Sequence, residues 1–194
     1  GVEGSGKSTQ AALLADWLEA EGRTVLRERE PGKTTLGESV RDLVLHGDEM
    51  SPWAEAALFA AARAELVARE IRPALERGDD VVLDRYLDSS VAYQGAGRVL
   101  EPGEVRSLSI WAAEGLLPDL TLLLDLDDSV GQDRLKSRTK YDRLEDEEQD
   151  FHARVRDGYL ALAAAEPGRF LVLNASDSVE SIASAIRERV QALL

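Results

Sequence analysis

Cysteine is absent from the whole chain, which excludes disulfides and thiolate zinc sites. Histidine occurs only as His46 and His152, both expected at the surface, so an imidazole-rich metal centre is excluded too. No apolar run approaches the ~18 residues that a membrane span needs. With neither a membrane segment nor a signal peptide visible, a cytoplasmic protein without a membrane partner is expected. Positive charge is also scarce. Lysine and arginine number 23 against 37 aspartate and glutamate, a net charge of −14. A nucleic-acid-binding surface needs clustered basic residues to neutralise phosphates, so nucleic acid is not an expected partner. The acidity fits a solvated, mutually repulsive surface, and leaves room for one cleft where the few basic residues converge.

What is present fits a globular enzyme. Apolar residues make up 44% and charged residues 31% of 194, enough for one core and one domain over 1–194, with at most a small mobile insertion. Short apolar runs at Thr24–Leu26, Val81–Leu83, Leu120–Leu126 and Phe170–Leu173 predict buried strands. Amphipathic stretches lie between them. One carries Leu14, Trp17 and Leu18 and should stop at Gly22; another should start at Ser51-Pro52 and end near Gly78, with Pro73 kinking or splitting it. Strands separated by helices imply a parallel sheet covered on both faces, with ligands beyond the carboxyl ends of the strands. That places Gly1–Ser8, Glu28–Gly32 and Asp84–Tyr86 along one rim.

The chain opens on Gly1-Val2-Glu3-Gly4-Ser5-Gly6-Lys7-Ser8, a full match to G-x-x-x-x-G-K-[ST]. Glycines let successive backbone N–H groups turn inward around a phosphate, and a helix from Thr9 onward adds a favourable dipole. Lys7 is expected to bridge β- and γ-phosphates, and the Ser8 hydroxyl to ligate Mg²⁺. Such a loop is normally delivered by a central strand, and none precedes Gly1, so an upstream run of mostly apolar residues is expected. The motif specifies nucleotide phosphates and leaves the acceptor open.

Val81-Val82-Leu83-Asp84 is a strand ending in a carboxylate, suited to Mg²⁺ or equally to capping a turn. It continues as Asp84-Arg85-Tyr86-Leu87-Asp88-Ser89-Ser90-Val91-Ala92-Tyr93-Gln94-Gly95. Together with Arg29-Glu30-Pro31-Gly32, Phe59-Ala60-Ala61-Ala62-Arg63 and Asp142-Arg143-Leu144-Glu145, this segment resembles thymidylate kinase. The blocks run in family order from Gly1 to Glu145, and the C-terminal strand and helix fit as well.

The resemblance implies an α/β P-loop nucleoside monophosphate kinase fold with a five-stranded parallel sheet, a homodimer, ATP with Mg²⁺, and dTMP as acceptor. By resemblance Phe59 stacks on thymine and Arg63 reaches its O4. Ser90 and Gln94 bond the base edge, and Tyr93 crowds the 2′ carbon. Arg41 and Arg85 hold the acceptor phosphate, with Glu30 and Pro31 beside them, and Glu3 sits near the sugar and the transferred phosphoryl. Asp84 joins Ser8 at the metal. Phe59 as simple core and Arg41 as a solvated helix residue stay open.

Family members either carry arginine inside the phosphate loop or place basic residues in a lid. Gly4 follows Glu3, so the chain resembles the second, mainly bacterial branch. Arg134, Lys136, Arg138, Lys140 and Arg143 then supply a basic lid over about 134–147, with Arg134 on ATP and Arg138 and Arg143 on the transferred group; alternating charge on a solvated helix face would look the same. Lys33 stands where a second glycine is usual after Pro31-Gly32, and Ala62 replaces a polar residue before Arg63. Another nucleoside monophosphate kinase would not be expected to combine Asp84-Arg85-Tyr86 with Tyr93-Gln94. A P-loop GTPase should show N-K-x-D, which is missing.

Overall fold

The computed structural model describes residues 1–126, 144, 147 and 149–194. Helix α1 (Lys7–Ala20) starts directly behind Gly6, whose left-handed φ of 89° turns the phosphate loop into the helix. It buries Gln10, Leu14, Ala15 and Leu18 along one face and ends before Gly22, also left-handed at φ 82°. Strand β1 (Val25–Arg29) leads to α2 (Thr35–His46), capped by Thr34 Oγ1, which accepts from Gly37 N at 2.9 Å. Helix α3 (Pro52–Leu66) starts as its Ser51-Pro52 signal predicts: the Ser51 hydroxyl accepts from Ala54 N, and proline fills the first helical position.

Pro73 does split the long helix. A π-helical turn (Val67–Ile71) separates α3 from α4 (Arg72–Glu76), because proline offers no N–H to continue the ladder. Strand β2 (Asp80–Asp84) follows Gly78, then α5 (Leu87–Ser90), a second π-helical turn (Val91–Gly97) and α6 (Pro102–Ala112). Strand β3 (Thr121–Asp125), α7 (Gln149–Ala165), β4 (Phe170–Asn174) and α8 (Val179–Gln191) complete the described elements. The expected strands are thus all present. β1 runs on through Arg27, Glu28 and Arg29, because parallel pairing with β2 satisfies its backbone whatever its side chains are.

The sheet count differs from five. Among the described residues four strands form two parallel pairs, β1 with β2 and β3 with β4, and no pairing joins β2 to β3. The pairing aligns Arg29 with Asp84, and Glu30 N donates to Asp84 O at 3.1 Å. The carboxyl ends of β1 and β2 therefore stop together, and the chain leaving each lies on one rim.

One apolar cluster spans Val2 at the phosphate loop, Leu14 and Leu18 of α1, Val40 and Val44 of α2, Leu123 and Leu124 of β3, and Phe151, Val155 and Tyr159 of α7. A smaller one holds Leu66, Val67, Ile71, Tyr86, Leu87 and Ala113. Helix α7 packs tightly on the second π-helical turn. A Cβ at Gly97 would come within 2.7 Å of the Phe151 ring, so glycine there permits the approach that brings Tyr159 to Tyr93, 6.2 Å between ring centroids.

Candidate active site

The phosphate loop is folded against β3 and upon itself. A Cβ on Gly1 would fall 2.0 Å from the Leu124 carbonyl oxygen, so only glycine fits the first motif position. Ser5 Oγ and Lys7 Nζ both donate to the Val2 carbonyl, at 2.8 and 2.7 Å, while Gly4 takes φ 74° and Thr9 lies exposed in the first turn of α1. Ser8 Oγ donates to Asp84 Oδ2 at 2.5 Å. The two expected metal-side oxygens, one from each side of the rim, are thus in contact. Among the described residues no group of three or more His, Asp or Glu side chains forms a metal cage. A hydroxyl plus one carboxylate is the donor set of a hard cation that takes its remaining ligands from phosphates and water, which fits Mg²⁺.

Arg85 follows Asp84 with φ 73°, a left-handed backbone rarely adopted by a long side chain. It donates to Glu3 and, at 3.1 Å, to the Tyr93 hydroxyl, lies over the Tyr93 ring at 4.7 Å, and reaches the Tyr159 hydroxyl at 3.4 Å. Tyr93 in turn donates to the Glu3 carboxylate at 2.7 and 2.8 Å. Burial alone would push the Glu3 carboxyl up, but Arg85, Lys7 and the Tyr93 hydroxyl outweigh it and hold it at about 2. Glu3 is therefore an anion at neutral pH, aligning Arg85 and Tyr93.

A cleft opens beside this triad with about 520 Å³ of non-atom space, its mouth included. It is lined by Glu3, Glu30, Pro31, Arg41, Phe59, Arg63, Arg85, Ser90, Tyr93 and Gln94, every residue that the sequence assigned to the acceptor. Arg41 Nη1 donates to the Pro31 carbonyl at 3.1 Å, and Phe59 is half-buried at the cleft wall. Arg63 departs from a simple base reader. It is 1% exposed and donates to the Glu30 carboxylate through Nε (3.1 and 3.0 Å) and Nη2 (2.7 Å), and through Nη2 to Ser90 Oγ at 2.9 Å. Burial pushes the Glu30 carboxyl above its ordinary value, with Arg63 pulling the other way. Arg63 Nη1 is buried without a hydrogen-bond partner among the described residues. It is a donor that the fold supplies and leaves uncommitted in a residue of the cleft.

Lys33 sits at φ 67°, which explains why glycine suits this position. Its backbone N–H donates to Glu38 Oε1 at 2.8 Å and its ammonium pairs with Glu28 at 2.8 Å, so the loop keeps its turn with lysine in place. Sequence reasoning missed Tyr159, Ser89 and Leu144, which meet the site. Tyr159 donates to Ser89 Oγ at 2.9 Å, and Ser89 and Leu144 line the cleft. Phe151, Val155 and Tyr159 recur every fourth residue, a stripe that signals core and hides the hydroxyl at its end. Arg134, Arg138 and Arg143 lie outside the described residues.

The thymidylate kinase family model matches residues 1–186. The chain belongs to the thymidylate kinase family. It is 65% identical over 193 residues to a thymidylate kinase from Leifsonia xyli subsp. xyli, covering 98% of this chain and 91% of the relative. It is 59% identical over 196 residues to the one from Clavibacter michiganensis subsp. michiganensis, covering 100% and 93%. The crystal structure of thymidylate kinase from Ehrlichia chaffeensis superposes with a TM-score of 0.80 at 31% identity, over 98% of this chain and 94% of that one. Membership makes the chain a phosphotransferase of the P-loop nucleoside monophosphate kinase fold.

Proposed function

We propose that the chain transfers the γ-phosphoryl of ATP to dTMP, giving dTDP and ADP, with the acceptor in the Glu3–Gln94 cleft and ATP on the Gly1–Thr9 loop. The observation that carries this reading is the convergence on one rim of the phosphate loop, the Ser8–Asp84 pair and a cleft lined by Arg85, Arg63 and Gln94. Lys7 would neutralise charge on the β- and γ-phosphates, and Arg85, held by Glu3 and the two tyrosines, would fix the acceptor phosphate. Arg41 assists at that phosphate from α2. Phe59 stacks on the base, while Arg63, Ser90 and Gln94 meet its polar edge. Tyr93, pinned by Glu3, crowds the sugar's 2′ position. Ser8 and Asp84 would hold Mg²⁺, which would supply positive charge to offset that developing on the phosphates in transfer.

Arg134, Arg138 and Arg143 enter this reading through the sequence resemblance alone, as the basic supply that Gly4 does not provide. No described helix is long and apolar enough to cross a membrane, and a cytoplasmic location belongs to the proposal. So does a homodimer: Leu43, Trp53 and Trp111 are exposed apolar side chains on α2, α3 and α6, at 52%, 43% and 79%. Coupled measurement of ADP release with dTMP, dUMP, dCMP and dAMP tests the acceptor. The reading requires the highest kcat/KM with dTMP; a higher value with dCMP or dAMP would refute it. Sedimentation at micromolar concentration tests the dimer.

A further inference from the structure

Behind the base edge of the cleft stands a carboxylate with no assigned role. Glu55 of α3 is 0% exposed and is not among the cleft's lining residues. It accepts from Gln94 Nε2 at 2.9 Å, from Arg98 Nε at 3.2 Å and from Arg98 Nη2 at 3.1 Å. Arg98 is in turn paired with Glu147 at 2.5 Å and lies over the Phe151 ring at 4.9 Å. Arg98 therefore grips both oxygens of Glu55, sharing Oε1 with Gln94, and favours its ionised form.

An ionised carboxylate only accepts hydrogen bonds. The amide of Gln94 must turn its NH₂ toward Glu55, and the planar group then carries its carbonyl oxygen at the other end, in a residue that lines the cleft. Arg63 adds an uncommitted donor, Nη1. One donor and one acceptor complement a pyrimidine with a carbonyl at C4 and an N–H at N3. A 4-amino pyrimidine presents the reverse at both positions and would leave both protein groups unpaired.

We propose that Glu55 is a positioning residue for base choice, which by accepting from Gln94 sets the amide's polarity and makes the cleft select 4-oxo over 4-amino pyrimidine nucleotides. The inference rests on the reading of this cleft as the dTMP site.

The test compares dTMP with 5-methyl-dCMP, which differ only along the edge in question, in wild type and Glu55→Gln. Preference of the wild type for dTMP tests the cleft assignment by itself; without it that assignment fails, whatever Glu55 does. Glutamine at 55 can donate as well as accept, so Gln94 can turn over. The ratio of kcat/KM for dTMP to that for 5-methyl-dCMP should fall about tenfold or more. The loss should appear as a raised KM for dTMP, with kcat and the KM for ATP little changed. The exchanged pair Glu55→Gln with Gln94→Glu returns a fixed acceptor to the base and should restore the ratio. Arg98→Lys, which keeps the charge but loosens the two-oxygen grip, should lower the ratio less, and it serves if Glu55→Gln melts too low to assay. Parallel losses with both nucleotides, or a ratio unchanged in Glu55→Gln (in Arg98→Lys where Glu55→Gln does not fold), would overturn the proposal.

Discussion

Ser8 Oγ donates to Asp84 Oδ2 at 2.5 Å, joining the phosphate loop to the end of β2 across 76 positions of sequence. The contact places two hard oxygen donors where the loop meets the sheet. Asp84→Asn keeps the size and the hydrogen bond but removes the charge that holds a divalent cation. The variant should need about tenfold more Mg²⁺ for half-maximal turnover, with its melting temperature in chelator near that of the wild type. Titration of activity with Mg²⁺ checks this; an unchanged requirement would remove Asp84 from the metal.

The Arg63–Glu30 pair makes Arg63 a structural residue beside its proposed role as base reader. Both side chains are almost fully buried, at 1% and 4% exposure. Arg63→Ala would leave the Glu30 carboxylate alone in the interior, and breaking such a pair costs about 3–5 kcal/mol. Weaker dTMP binding should therefore come with a clear loss of stability in urea melts. Arg63→Met with Glu30→Gln should recover most of the stability and none of the dTMP affinity. If Arg63→Ala melts like the wild type, the pair contributes little to folding.

How much of this was legible in the sequence depended on the range of the interactions. Ser51-Pro52, Gly22 and Gly78 act on their own neighbours, and each marks the helix boundary that its local chemistry predicts. The residues that line the cleft were legible because the blocks Arg29–Gly32, Phe59–Arg63 and Asp84–Gly95 together resemble one family. Partnerships were not. Arg63 with Glu30, Glu55 with Arg98 and Tyr159 with Ser89 join residues 33, 43 and 70 positions apart, and no periodicity marks them. Glu55 lies among alanines on α3, and that isolated charge in an apolar run was the one available signal.

Glu3 links the site to acid stability. Its carboxyl is held at about 2, below the ordinary 4.5, so the folded state binds its proton less readily than the unfolded state. The stabilisation is complete above about pH 4.5 and is lost as pH falls toward 2, and is worth about 2–3 kcal/mol. Glu3→Gln should show a shallower fall in urea stability between pH 5 and 3 than the wild type. Parallel curves would mean that Glu3 titrates as it does in the unfolded chain.

Lys33 sets two opposing effects against each other. Its left-handed backbone costs about 1 kcal/mol relative to glycine, whereas glycine loses the Glu28 pair, exposed at its lysine end, and gains freedom in the unfolded chain, together of similar size. Lys33→Gly should shift the melting temperature by only a few degrees. Lys33→Val, β-branched at the same φ, should destabilise by about 1–2 kcal/mol. Thermal melts of the two variants side by side decide whether the backbone is strained there.

ATP labelled at the γ-phosphorus follows the transferred phosphoryl group directly. Incubated with dTMP, Mg²⁺ and the enzyme, the label should appear in dTDP, one for each ADP formed, and should stay in ATP when dTMP is left out. ADP formed without labelled dTDP, or label passing to another nucleotide in preference to dTMP, would contradict the account.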